Sequence, residues 1–226
     1  MKRFYFGLFV LFFSFAIHFF FIFQEELNRK RVEEWSELNK IYLNESNATI
    51  VNFKVDFNES EWDFLKIKLK HSRHFKILNE KYVKRNEIGF DPEYAQELVS
   101  YWKNEFDWKS RVDYINKYPQ YKLVINNGIT IHYLRVVTNS NPNPIKLLLL
   151  DGWLGAFFGF YKYIDHVVNN YTSIAFDIVV PSIPGFGYST PLERPIDAID
   201  SAQYFDALMR FIHNDPNVTY FVHGQY

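Results

Sequence analysis

From Phe4 to Phe23 the chain is almost unbroken Phe, Leu, Ile and Val, with Gly7, Ser14, Ala16 and His18 among the interruptions. Twenty helical residues reach about 30 Å, the thickness of a bilayer core, so the pattern predicts a membrane-spanning helix. A signal peptide is the alternative, but Gln24-Glu25-Glu26 offers no small-residue cleavage site. Residues 24–47 are polar and read as a stalk. Beyond them the pattern becomes amphipathic. Val51 to Val55 alternates like a strand, and Asn58 with Glu61 reads as a variant capping box before a helix with Trp62, Leu65 and Leu69 on one face. Asp91-Pro92 predicts a second helix start, with Tyr94, Leu98 and Tyr101 or Trp102 as its buried stripe. Trp108 to Lys117 reads as a short helix ended by Tyr118-Pro119. Asn126-Asn127-Gly128 is a hairpin signal between Lys122–Ile125 and Thr130–Val137.

The central stretch is Lys146 to Thr190. Leu147-Leu148-Leu149-Leu150 is too short for a lone helix and reads as a strand buried on both faces. A glycine loop, Asp151-Gly152-Trp153-Leu154-Gly155, follows, then an aromatic helical segment, Phe157 to Tyr163. A second buried strand, Ser173 to Val180, precedes Pro181-Ser182-Ile183-Pro184-Gly185-Phe186-Gly187-Tyr188-Ser189. Strand, loop, helix, strand is the βαβ unit of a parallel sheet, whose chemistry gathers at the C-terminal strand ends. Pro191 to Pro195 reads as loop, Ser201 to Asn214 as a helix with Tyr204, Leu208 and Phe211 or Ile212 facing inward, and Thr219–Val222 as a third parallel strand. A sheet of three parallel strands and one hairpin leaves an open edge.

Composition narrows the function. At 226 residues there is room for one full-sized domain and something smaller. The chain is 48% hydrophobic and 20% aromatic, which suits a packed core. A net charge of -1 gives no electrostatic case for nucleic acid. The absence of cysteine removes disulfides, thiolate catalysis and zinc–thiolate sites. Lys2 and Arg3 before the apolar run face Arg29, Lys30 and Arg31 after it, which leaves orientation open. Sequons at Asn44, Asn47, Asn58, Asn170 and Asn217 matter only on a luminal side.

Isolated candidates carry little chemistry. His71 and His74 stand three apart without a second cluster and read as a solvated basic face rather than a metal site. His132 and His166 read as surface or satisfied structural histidines. Asp177, inside an apolar strand, reads as a sheet-edge or strand-end acid bonded to backbone. Gly185-Phe186-Gly187 lacks the third glycine and following acid of a dinucleotide fingerprint. No cofactor and no metal are expected.

Three sets of motifs carry a family resemblance. Tyr101-Trp102-Lys103-Asn104-Glu105-Phe106-Asp107-Trp108, Tyr118-Pro119-Gln120-Tyr121 and Ile131-His132-Tyr133 form the first set. The glycine loop with Phe158-Gly159-Phe160-Tyr161-Lys162 is the second, and Pro181 to Ser189 the third. Together they resemble the microsomal-type epoxide hydrolases, juvenile-hormone epoxide hydrolases included, over about residues 50 to 226. The resemblance implies an α/β class: an incomplete α/β-hydrolase fold preceded by an epoxide-hydrolase-type N-terminal segment and a transmembrane helix. The implied domains are residues 1–46 (anchor and stalk), 47–121 (N-terminal segment) and 122–226 (first half of the hydrolase domain).

In that family an aspartate opens the epoxide to give an ester, and a histidine paired with an acid activates the water that releases a diol. Cap-domain tyrosines hold the epoxide oxygen, and backbone N–H groups hold the oxyanion. This sequence departs from the scheme where it matters. Aligned on Gly224, the nucleophile position is Tyr226, which keeps its proton at neutral pH. Asp151 replaces the loop histidine, Leu154 replaces the proline after it, and Trp153 retains an N–H for the oxyanion hole. The second donor, the cap, the base histidine and its acid would lie past Tyr226. The expectation is therefore a truncated family member that is inactive alone, with a non-catalytic membrane-anchored binding protein as the alternative. A gene remnant whose Leu147–Leu150 and Ile174–Val180 strands stay poorly covered is the third reading. Expected partners are membrane lipid through residues 4–23 and a lipophilic epoxide in a complete form, with no nucleic acid and no specified protein. The expected location is the endoplasmic reticulum membrane, single-pass.

Overall fold

The computed structural model describes residues 18–27, 29–30, 48–73, 91–125, 129–138, 142–152, 155–171, 173–191 and 198–225. The predicted stalk beyond residue 30, His74, the Asn126–Gly128 turn, Trp153, Leu154 and Tyr226 lie outside them. So does residues 4–17 of the predicted span. Helix α1, described over residues 18–27 and 29–30, carries the end of that span, with Phe19 to Phe23 exposed. Among the described residues no helix is long and apolar enough to cross a membrane.

The chain forms two compact units, Phe53–Pro119 and the combination of Met1–Asn52 with Gln120–Tyr226. The second is built on a sheet of strands β1 (Thr49–Phe53), β2 (Gln120–Val124), β3 (Thr130–Val137), β4 (Ile145–Leu150), β5 (Phe176–Pro181) and β6 (Phe221–Gly224). Their order across the sheet is β1-β2-β3-β5-β4-β6. β2 and β3 are the predicted antiparallel hairpin, and β3 continues antiparallel against β5. β4 runs parallel to β5 on one side and β6 on the other, the predicted parallel trio.

Both faces of the central strands are covered. On one face Leu123, Ile131, Tyr133, Leu148 and Val179 join Tyr204, Phe205, Leu208 and Met209 of helix α6 (Ala198–His213) in a single buried cluster. Residues of the opposite parity, Leu134, Val136, Leu147, Leu149, Ile178 and Val180, are buried too. A 3-10 turn (Phe157–Phe160) leads into α5 (Tyr161–Asn170), where one helix over Phe157–Tyr163 was expected; Phe157, Phe160, Tyr161, Ile164 and Val167 turn inward. Of the strands expected to stay poorly covered, Leu147–Leu149 and Ile178–Val180 are buried, whereas Ile174 is exposed ahead of β5. Runs of Leu, Ile and Val buried this way contribute roughly 1.5–3 kcal/mol per side chain, which favours a packed unit over a collapsed remnant. The predicted open edge is present: the four residues of β6 are exposed, Phe221 at 68%.

Asp177 corrects its sequence reading. It lies in β5, a strand flanked on both sides, and is 2% exposed. Its register partner on β3 is Val137, which puts Arg135 on the same face two residues away. Arg135 Nε and Nη2 donate to the two carboxylate oxygens at 2.9 and 2.6 Å. The acid is satisfied by a fork-shaped cation, not by backbone.

The Phe53–Pro119 unit is helical: α2 (Glu59–Lys70), α3 (Pro92–Asn104) and α4 (Trp108–Ile115). Its helix starts follow the sequence. Asn58 accepts from the Ser60 and Glu61 amides, Asp91 from the Glu93 amide with Pro92 in the first turn, and Asp107 from the Ser110 amide. Trp62 and Trp108 meet edge to face at 5.9 Å. Asn116 closes the unit by accepting from the Val55 amide and donating to the Val55 carbonyl, at 2.9 and 2.8 Å. The predicted buried stripe of α3 is a correction. Tyr94, Leu98, Tyr101 and Trp102 are 39–49% exposed, and the helix has no buried residue. Spacing says which side chains share a face; whether anything covers that face is decided elsewhere in the fold.

Candidate active site

A cleft of about 210 Å³ opens at the C-terminal ends of β4 and β5, the place the βαβ pattern indicates. One wall is the loop after β4, contributing Asp151, Gly152, Gly155 and Ala156, with Phe157 behind it. The facing wall is the loop after β5, contributing Pro181, Ser182, Ile183, Phe186 and Gly187. Apolar surface dominates, and the carboxylate of Asp151 is the one charged group of the lining.

The β5 wall is held by a buried polar network. His132 on β3 is completely buried. Its Nε2 meets Gln120 Oε1 at 3.0 Å and its Nδ1 meets Ser182 Oγ at 2.8 Å. A carboxamide oxygen only accepts, so Nε2 carries the proton and Nδ1 accepts from the serine: the ring is neutral. Burial, with Lys122 adding repulsion, pushes its pKa down to about 3. The His132 amide donates to Ser189 Oγ, which donates to the Ser182 carbonyl, and the Ser182 amide returns a bond to the His132 carbonyl. The Thr190 amide bonds the Thr130 carbonyl. Gly185 and Gly187 turn this loop at φ of +85° and +54°, a region unfavourable to other residues. A Cβ on Gly187 would also lie 2.6 Å from Ser182 Oγ. His132 is therefore a satisfied structural histidine that shapes the cleft wall from behind, and no local sequence signal joins it to serines 50 and 57 residues away.

The β4 wall is arranged around a charge. Asp151 Oδ1 accepts from the Gly152 amide and from Gln225 Nε2, each at 3.0 Å. The Gln225 amide also donates to the Leu150 carbonyl, which brings the end of β6 beside this loop. Glycines make the space. A Cβ on Gly155 would run into the Asp151 carboxyl group, and one on Gly159 would come within 3.2 Å of Oδ2. Of the residues singled out in the sequence, Asp151 lines the cleft, whereas Trp153, Leu154 and Tyr226 lie outside the described residues. Gln225 reaches Asp151 only through the placement of β6, and no local sequence signal marks it. His166 is exposed on α5 and bonded to Asn170, away from any cluster. Among the described residues no group of His, Asp and Glu could hold a metal ion.

Comparison with known proteins follows the same outline. Residues 50–160 match the family described as "Epoxide hydrolase N terminus". "Epoxide hydrolase 1" of Sus scrofa is 32% identical over 168 residues, which covers 70% of this chain and 36% of that protein. "Juvenile hormone epoxide hydrolase" of Bombyx mori is 32% identical over 191 residues, covering 79% of this chain and 39% of the relative. The crystal structure of the silkworm juvenile hormone epoxide hydrolase superposes with a TM-score of 0.68 at 29% identity, over 84% of this chain and 48% of that one. The Aspergillus niger epoxide hydrolase superposes with a TM-score of 0.67 at 27% identity, over 78% and 46%. The chain thus spans less than half the length of these relatives, and their fold is α/β-hydrolase.

Proposed function

This chain is an epoxide hydrolase-like protein, and from that premise we propose that it keeps the family's cleft as a binding site and does not itself turn epoxides into diols. The observation that carries the reading is Asp151. It sits on the loop where the family resemblance calls for donors to an oxyanion, and its carboxylate already draws the Gly152 amide toward itself. A second negative charge about 4 Å away would be disfavoured by roughly 4 kcal/mol at a surface-like dielectric. That is about a thousandfold in rate. Tyr226, at the position of the nucleophilic aspartate, adds a protonated phenol where the chemistry needs a carboxylate. The apolar run of residues 4–23 supports tethering to membrane lipid, with the endoplasmic reticulum as the proposed location, and a lipophilic compound as the occupant.

The test is direct. Full-length chain in detergent, incubated with a lipophilic epoxide, yields no diol above the protein-free blank; diol formation sinks the reading. A second reading, an enzyme portion that works only when completed, is favoured by coverage of 48% of the silkworm structure. Co-expression with the C-terminal part of that silkworm enzyme separates the two, since restored diol formation supports completion and its absence supports a binding role.

A further inference from the structure

We infer that the cleft beside Asp151 is a cation site, selective for a small lipophilic primary amine. Both hydrogen bonds to the Asp151 side chain fall on Oδ1. A carboxylate offers about four acceptor positions, and Oδ2 takes no partner among the described residues. Its two donors are neutral amides, so the negative charge is not balanced by a cation among the described residues. The remaining lining is Gly152, Gly155, Ala156, Phe157, Pro181, Ile183 and Phe186 with Ser182, whose hydroxyl proton is committed to His132 Nδ1. The cleft therefore presents one acceptor with spare capacity in an apolar surround.

Size and charge choose the ligand. About 210 Å³ lies below the roughly 300–1,000 Å³ of sites for drug-sized molecules, so a single ring or a short alkyl chain fits. A hard divalent cation wants several oxygens and finds one carboxylate. An anion meets like charge. An ammonium group donates to Oδ2 in a charge-assisted bond while its apolar body lies against the rings of Phe157 and Phe186, where a cation is also welcome. The carboxyl group is seated against Gly155 and Gly159, where a Cβ would crowd it, so its position depends on both glycines.

The site rests on the cleft binding rather than hydrolysing, but the two fail separately: diol formation would overturn the binding role and leave amine affinity intact. Titrating the full-length chain in detergent at pH 7 with benzylamine, benzyl alcohol and benzoate reads the charge preference with the ring held constant. Benzylamine should bind about tenfold or more tighter than benzyl alcohol, with benzoate weakest, the scale of one charge-assisted contact. Asp151→Asn should erase the preference while its thermal melt shows the fold retained. Gly155→Ala, which keeps the charge but displaces the carboxyl group, should weaken benzylamine on the wild-type background. Equal binding of all three ligands, or an unchanged preference in D151N, overturns the proposal.

Discussion

The sheet and the helical unit place their polar chemistry in opposite ways. In the sheet, Asp177 is buried against a half-buried Arg135, and His132 with Gln120 and Ser182 lies in the interior, so these groups replace water with one another. In the Phe53–Pro119 unit, Asn58 and Asp107 work at exposed helix ends, where solvent can substitute for most of what they do. The difference teaches where a lost hydrogen bond is expensive. A buried group left without its partner keeps its whole desolvation penalty, whereas a cap removed from the surface gives up only the net gain of one bond.

The largest effect should come from splitting the ion pair of buried Asp177. Arg135→Leu leaves that carboxylate with only the His213 imidazole, 3.8 Å away, and should lose about 3 kcal/mol, measured by urea denaturation. The double variant R135L/D177L should recover most of that loss. If it is no more stable than the single, the sheet does not depend on pairing and the contrast collapses. Next comes His132→Phe, which keeps a ring against Phe157 and Tyr188. It leaves Gln120 Oε1 and Ser182 Oγ without the histidine and should lose about 2–4 kcal/mol. Amide hydrogen exchange should quicken over residues 182–190 and not over α2.

The same histidine sharpens the contrast through pH. Its pKa lies near its ordinary 6.5 in the unfolded chain and at about 3 in the folded one. Between those values the unfolded state binds a proton that the folded state refuses. Stability therefore falls as pH drops from about 6.5 towards 3, by up to about 1.4 kcal/mol per pH unit, and none of this is lost above that window. Comparing denaturation midpoints of wild type and H132F across that range isolates the contribution, since the slope of H132F should be shallower; parallel curves would remove the histidine from the account. The smallest effect should be Asn58→Ala, about 1 kcal/mol, visible as a modest loss of helical ellipticity on mild heating. A loss as large as that of R135L would mean the cap does more than end a helix.

The two cleft walls repeat the comparison at short range. The loop after β5 owes its shape to neutral groups buried behind it, while the loop after β4 carries an exposed-side charge in a cradle of glycines.

Local pattern alone determined the βαβ order of Lys146–Thr190, the hairpin of β2 and β3, and the helix starts at Asn58 and Asp91. Each of these follows from neighbours in the chain: side-chain period, turn chemistry and caps act over a few residues. Tertiary structure decided the rest. Strand register put Arg135 beside Asp177, the sheet brought His132 to Ser182 and Ser189, and β6 delivered Gln225 to Asp151. It also left the α3 stripe uncovered, because sequence spacing aligns side chains on a face but only the packing of distant segments determines what, if anything, lies against it.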